Sequence, residues 1–160
     1  MPETKIVIAS PDTRLKELGF TLPPMTRPLA SYVPFVKTGN LVFVSGQIPT
    51  RDGKPVLTGK VGRELTLQQG QEMARICTLN ALGILKEAAG GLDRVSRIVR
   101  TVNYVNAAPG FTDIHLCANG ASDLLQQVFG DAGRHSRVSV GAPELPLNVP
   151  FELDIVAEVR

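Results

Sequence analysis

The period of the apolar positions along this chain changes from two to about three and a half and back several times. Phe151 to Val159 alternates cleanly, with Phe151, Leu153, Ile155, Ala157 and Val159 set against Glu152, Asp154, Val156 and Glu158. That pattern predicts a strand with one buried face. Val95 to Val105 reads as a longer strand, with Arg100, Val102 and Tyr104 on one face and Val99, Thr101, Asn103 and Val105 on the other. Tyr32–Lys37 and Leu41–Ser45 are strand-like runs joined by Thr38-Gly39-Asn40, a hairpin signal. Asp52-Gly53 centres a second tight turn over Arg51–Lys54, and Ser136–Val140 is a further short strand.

Helical spacing governs the stretches between. From Thr66 to Ala89, Met73, Ile76, Cys77, Ile84, Leu85 and Ala88 form an amphipathic stripe. Thr66 with Gln69 makes a capping box, and Gly90-Gly91 stops the helix. Phe111 to Phe129 is also helical, and Asn119-Gly120 in its middle predicts two pieces recapped at Ser122. Asp12 to Gly19 is a short helix capped by Ser10, with Pro11 in its first turn. Leu22–Pro28 and Pro143–Pro150 are proline-rich connectors.

This order predicts an α+β fold, one sheet with two main helices packed on one face. The second sheet face is left uncovered. Val99, Val102, Tyr104 and Val105 occupy both sides of one strand, so self-association is expected to cover what the helices do not.

Composition narrows the picture without adding chemistry. The chain's 160 residues make about one domain, which needs no disulfide or metal staple. With 43% apolar and 20% charged residues it is neither disordered nor a coiled coil. No apolar run reaches the ~18 residues of a membrane span, and Ile6–Ala9 is too short for the core of a signal peptide. A net charge of +2, with basic residues scattered and no Trp, gives nucleic-acid binding little support. Cys77 and Cys117 read as small buried hydrophobes in a reducing cytoplasm, and with only two histidines and no Cys or His near the right spacing, no zinc site is expected. No phosphate-binding glycine loop is present, and nothing local supports a serine or cysteine triad.

Tyr32, followed by Val36-Lys37-Thr38-Gly39-Asn40-Leu41-Val42-Phe43-Val44-Ser45-Gly46-Gln47-Ile48-Pro49, resembles the opening of the Rid/YjgF proteins, historically labelled endoribonuclease L-PSP. The ending agrees: Arg137, then Glu144-Leu145-Pro146, then Glu152 in the terminal strand match the family's Arg-Ser-x-Val … Leu-Pro … Glu pattern without a gap. The resemblance spans Pro28 to Val159, making 28–160 one Rid/YjgF-like domain after an N-terminal extension, 1–27, that carries the short helix. It implies a chorismate-mutase-like fold and a homotrimer with a ligand cleft between subunits. It also implies hydrolysis of reactive enamines and imines, such as 2-aminoacrylate, to 2-oxo acids and ammonia, with no cofactor or metal. The chain departs from the core family at Val138 and Ser139, where Ser and often Cys are usual. A short insertion around Leu116–Asn119 puts His115 near the family's helix Asn, and His135 stands two residues before Arg137. These features mark a longer, divergent branch.

The candidate chemistry centres on Arg137 and Glu152. On a strand, His135, Arg137 and Ser139 share one face. A planar guanidinium grips a small carboxylate with two parallel hydrogen bonds; the other reading of Arg137 is an inter-subunit salt bridge with Glu152 or another acid. Glu152 is either a solvated strand residue or, buried beside Arg137, the carboxylate that activates water. Tyr32 can close the cleft with its ring and hydroxyl or pack on a neighbour. Gly46 admits a close backbone approach or forms a bulge. Ser139 offers a hydroxyl or carbonyl, while His115 and His135 read as surface or capping groups, His135 also as a partner of Arg137. The expected function is therefore enamine/imine deamination in the cytoplasm on a small carboxylate-bearing substrate. A trimeric carboxylate binder without turnover is the alternative. An RNA-cleaving protein is a weaker third, since a near-neutral chain lacks the basic groove it needs.

Overall fold

A computed structural model describes residues 9–25, 27–28 and 30–160. The stretch read for a signal sequence, Met1 to Ser10, and part of the 1–27 extension thus lie largely outside the described residues. The chain order is α1 (Pro11–Glu17), β1 (Phe35–Thr38), β2 (Leu41–Gln47), β3 (Thr50–Arg51), β4 (Lys54–Pro55), α2 (Leu67–Ala89), β5 (Val95–Asn106), α3 (Ile114–Cys117), α4 (Asn119–Phe129), β6 (Ser136–Ala142) and β7 (Phe151–Val159).

Five strands form one mixed sheet in the order β1-β2-β7-β5-β6. All neighbours run antiparallel except β5 and β6. A parallel pair needs a crossover connection, which α3 and α4 supply. The alternating face of β7 is buried on every odd position from Phe151 to Val159 and lies under α2, whose Met73, Ile76, Cys77, Ile84 and Leu85 are also buried. Both cysteines are free and fully buried, as their reading as small hydrophobes requires. The α+β architecture with two main helices on one sheet face is therefore as expected. None of the helices among the described residues is long and apolar enough to cross a membrane.

The capping box of α2 is present on both arms: Thr66 Oγ1 accepts from the Gln69 amide at 3.1 Å, and the Gln69 side chain accepts from the Thr66 amide at 2.9 Å. Ser10 likewise caps α1, accepting from the Thr13 amide at 3.1 Å. Asp12 of α1 pairs with Lys86 of α2 at 2.6 Å and Leu15 is buried, so this helix is docked on the main body.

Three local expectations need correction. Regular pairing begins at Phe35 rather than Tyr32, because proline at 34 has no amide to enter a ladder. In β5, register shifts between Val95 and Arg97 and between Ile98 and Arg100 each insert one residue, so Val95, Ile98 and Thr101 are buried while Val99 is not. The second helical stretch breaks at Ala118 without a side-chain cap, and Ser122 is not a cap. Gln71 of α2 donates to the Leu116 carbonyl at 2.9 Å, closing α3 from outside. Gly120 is there for contact rather than for a break: a Cβ at this position would lie 2.0 Å from the Gln71 carbonyl oxygen, so only glycine lets α4 sit on α2.

The other sheet face carries exposed apolar residues at both edges, Val36 and Phe43 on β1 and β2 (54% and 43% exposed) and Val138 and Val140 on β6 (36% and 43%), with Glu152 and Asp154 of β7 between them.

Candidate functional site

Arg137 projects from β6 on the helix side of the sheet, paired in register with the buried Thr101 of β5. Three acceptors hold its half-buried guanidinium. Nη1 donates to Asn119 Oδ1 at 2.9 Å and to Ser122 Oγ at 3.1 Å, and Nη2 donates to the His115 carbonyl at 3.0 Å. All three are neutral, and no acid lies within ion-pair distance of Arg137 among the described residues. A cleft of about 460 Å³ opens over Arg137, His135, Ser122, Asn119 and Gln126, with Arg134 and Asp123 at its sides.

His135 sits just before β6. Its Nδ1 lies 2.6 Å from the Gly133 carbonyl and its Nε2 lies 3.0 Å from Ser122 Oγ. Burial pushes its pKa below the ordinary imidazole value, the Gly133 carbonyl opposes this, and the nearby Arg137 charge adds to the lowering. His115 contributes only its carbonyl; its own side chain is exposed. Ser139 Oγ and Asn103 Oδ1, register partners across β6 and β5 on the same face, are buried polar atoms without a hydrogen-bond partner among the described residues.

Glu152 belongs to a different place. It pairs with Tyr104 in β5, which places it on the open face, whereas Arg137 faces the helices. Two strand spacings and three residues separate the two Cα atoms, or ~14 Å, with the side chains directed to opposite sides. One protomer does not bring the two together, and it does not join them in a salt bridge. Burial first, and then the Asp154 carboxylate, hold the Glu152 carboxyl above its ordinary pKa.

Gly46 lies against Glu152. A Cβ built on it would meet Glu152 Oε1 at 2.4 Å, and the β2 register slips between Val44 and Gln47 at the same place. Bulge and close approach, taken as alternatives from the sequence, coincide here, and the approach is to the carboxylate. Tyr32 is 57% exposed on a segment tied down by Ser45, whose Oγ donates to the Val33 carbonyl at 2.6 Å.

The candidates thus divide in two: Arg137, His135, Ser139 and the His115 carbonyl under α3 and α4, and Glu152 with Gly46 on the open face. Sequence reasoning missed Asn119 and Ser122 as Arg137 partners. Their spacing of three residues on one helix face was the available signal.

The family model described as "YjgF/chorismate_mutase-like, putative endoribonuclease" matches residues 12–159. Protein TCP17 of Trypanosoma cruzi is 42% identical over 147 residues, covering 91% of this chain and 92% of that protein. Among solved structures, Atu1372 of Agrobacterium tumefaciens superposes with a TM-score of 0.88 at 42% identity, covering 94% of this chain and 92% of that one. A Shewanella oneidensis protein reaches 0.91 at 36% identity, covering 94% of this chain and all of that one. With its mixed sheet, its two helices on one face and a match over nearly its whole length, this chain belongs to the YjgF/chorismate mutase-like family.

Proposed function

We propose that the protein hydrolyses small carboxylate-bearing enamines and imines to 2-oxo acids and ammonia, in a cleft completed between the protomers of a homotrimer. The observation that carries this reading is the condition of Arg137. Three neutral acceptors orient its guanidinium, no acid among the described residues pairs with it, and two of its five N–H donors, at Nε and Nη2, remain for a ligand. A cation held in that state selects an anion of carboxylate shape.

Glu152 supplies the proton traffic. Burial makes it a stronger proton acceptor than a solvated glutamate. Since the Glu152 of the same chain faces away from Arg137, the one that meets the bound substrate is contributed by a neighbouring protomer, together with Gly46 and Tyr32. The exposed apolar residues at both edges of the open face support such an assembly. Ser139 and His115 border the Arg137 half.

With its carboxylate on Arg137, an enamine takes a proton on carbon and loses one from nitrogen to give the imine. Glu152 accepts a proton from water as the water oxygen bonds to the imine carbon, and that proton passes to the nitrogen. Collapse of the adduct forms the C=O bond as the hydroxyl proton is carried to nitrogen and ammonia leaves. Atoms and electrons balance without a redox partner or a nucleophilic side chain.

The test is release of 2-oxo acid from 2-aminoacrylate generated in situ. The protein is expected to accelerate it, and Arg137→Ala to abolish the acceleration; no acceleration by the parent protein overturns the reading. The separation of Arg137 from Glu152 within one chain favours a second reading, a carboxylate-binding trimer without turnover. That protein would show ligand-induced stabilisation but no acceleration.

A further inference from the structure

We propose that His135 is a positioning residue for Arg137, acting through Ser122; this rests on the carboxylate-binding reading of Arg137 and adds a residue to it. The direction of each hydrogen bond follows from the chemistry of the groups. The Gly133 carbonyl can only accept, so Nδ1, 2.6 Å away, carries the ring hydrogen. A neutral ring then has its lone pair at Nε2, and Ser122 Oγ at 3.0 Å donates to it. With its single hydrogen committed, Ser122 presents lone pairs to Arg137 Nη1 at 3.1 Å. The bonds run from Arg137 to Ser122 to His135 to the Gly133 carbonyl, all in one sense.

Without the imidazole, the Ser122 hydroxyl is free to rotate its hydrogen toward the guanidinium, which repels it. Neutral His135 removes that rotamer, and its depressed pKa keeps the ring neutral near pH 7. The anchor at the far end is itself fixed. A Cβ on Gly133 would lie 2.2 Å from the Leu125 carbonyl oxygen, so the loop bearing the Gly133 carbonyl is pressed onto α4. The charged groups at the cleft are Arg137, Arg134 and Asp123, with Asp131 paired to Arg134 at 3.8 Å; none hydrogen-bonds the ring. Ser122 and Asn119 take both Nη1 hydrogens and the His115 carbonyl takes one from Nη2, so the guanidinium plane is set before any ligand arrives.

The experiment pairs pyruvate binding, measured by calorimetry, with NMR of the Arg137 Nη groups, which resolve separately when rotation about the guanidinium bonds is hindered. Ser122→Ala and His135→Leu should each weaken pyruvate binding about tenfold and average the Nη signals, as expected for loss of one charge-assisted bond. His135→Gln, whose amide oxygen can accept from Ser122, should restore both affinity and signals to within about threefold of the parent. Ser122→Ala is the conservative arm, with its melting temperature checked against the parent. Unchanged Nη signals and affinity in folded Ser122→Ala overturn the proposal. If the parent fails to bind pyruvate, the carboxylate reading falls, and the Nη signals alone then decide the role of His135.

Discussion

A guanidinium among neutral acceptors keeps its full charge. Arg137 is bound by an amide oxygen, a hydroxyl and a carbonyl, each of which fixes geometry and none of which neutralises it. Beside it, burial lowers the pKa of His135 below that of a surface imidazole. Its folded pKa lies below its unfolded value, so its contribution to stability is present above about 6.5 and is lost as pH falls through the folded value. His135→Gln removes that dependence. Thermal melts at pH 7 and pH 5 should show the parent losing more stability than the variant over this interval; equal losses would mean that the ring is not buried neutral.

At the level of elements, the helix crossover between β5 and β6 carries most of the Arg137 surroundings. Its position depends on how closely α4 approaches α2, and that approach depends on Gly120. A methyl group there must displace a helix backbone, since its neighbour is the Gln71 carbonyl rather than a mobile side chain. Gly120→Ala should cost about 2–3 kcal/mol and lower the melting temperature by roughly 5–10 °C. It should also shift Asn119 and Ser122 and so weaken carboxylate binding, whereas an unchanged melting curve would show that the two helices are not held this tightly. Thr66 and Gln69 secure the same end of α2, beside Gln71, through the capping box.

At the scale of the whole molecule, the sheet separates the two candidate groups. Arg137 lies between sheet and helices and Glu152 lies on the open side, so they do not meet within one protomer and the proposed site needs an assembly. Mixing Arg137→Ala with Glu152→Gln protein, each inactive alone, and reassembling the protomers should recover about a quarter of the parent activity, the statistical fraction of interfaces that draw Arg137 from one variant and Glu152 from the other. No recovery would place both groups in one protomer's site and contradict the sheet geometry. The exposed Val36, Phe43, Val138 and Val140 lie on the open face, where the proposed assembly would place a neighbouring protomer.

What could be read along the chain was what depends on neighbours a few residues away. The parity of β7 is visible in its residues because alternation is a property of one extended segment, and the capping box is visible because its two partners are three residues apart. The face of Val99 was misread because two bulges in β5 arise from its pairing with β7, a strand about fifty residues further on. Ser122 looked like a helix cap because a hydroxyl near a helix start has many uses, and only the folding of β6 under α4 gives it Arg137 and His135. Arg137 and Glu152 could each be named as chemistry-bearing residues from sequence, since residue type and motif spacing are local facts. Which side of the sheet each one faces is set by strand register, and register is chosen by burial summed over the whole sheet.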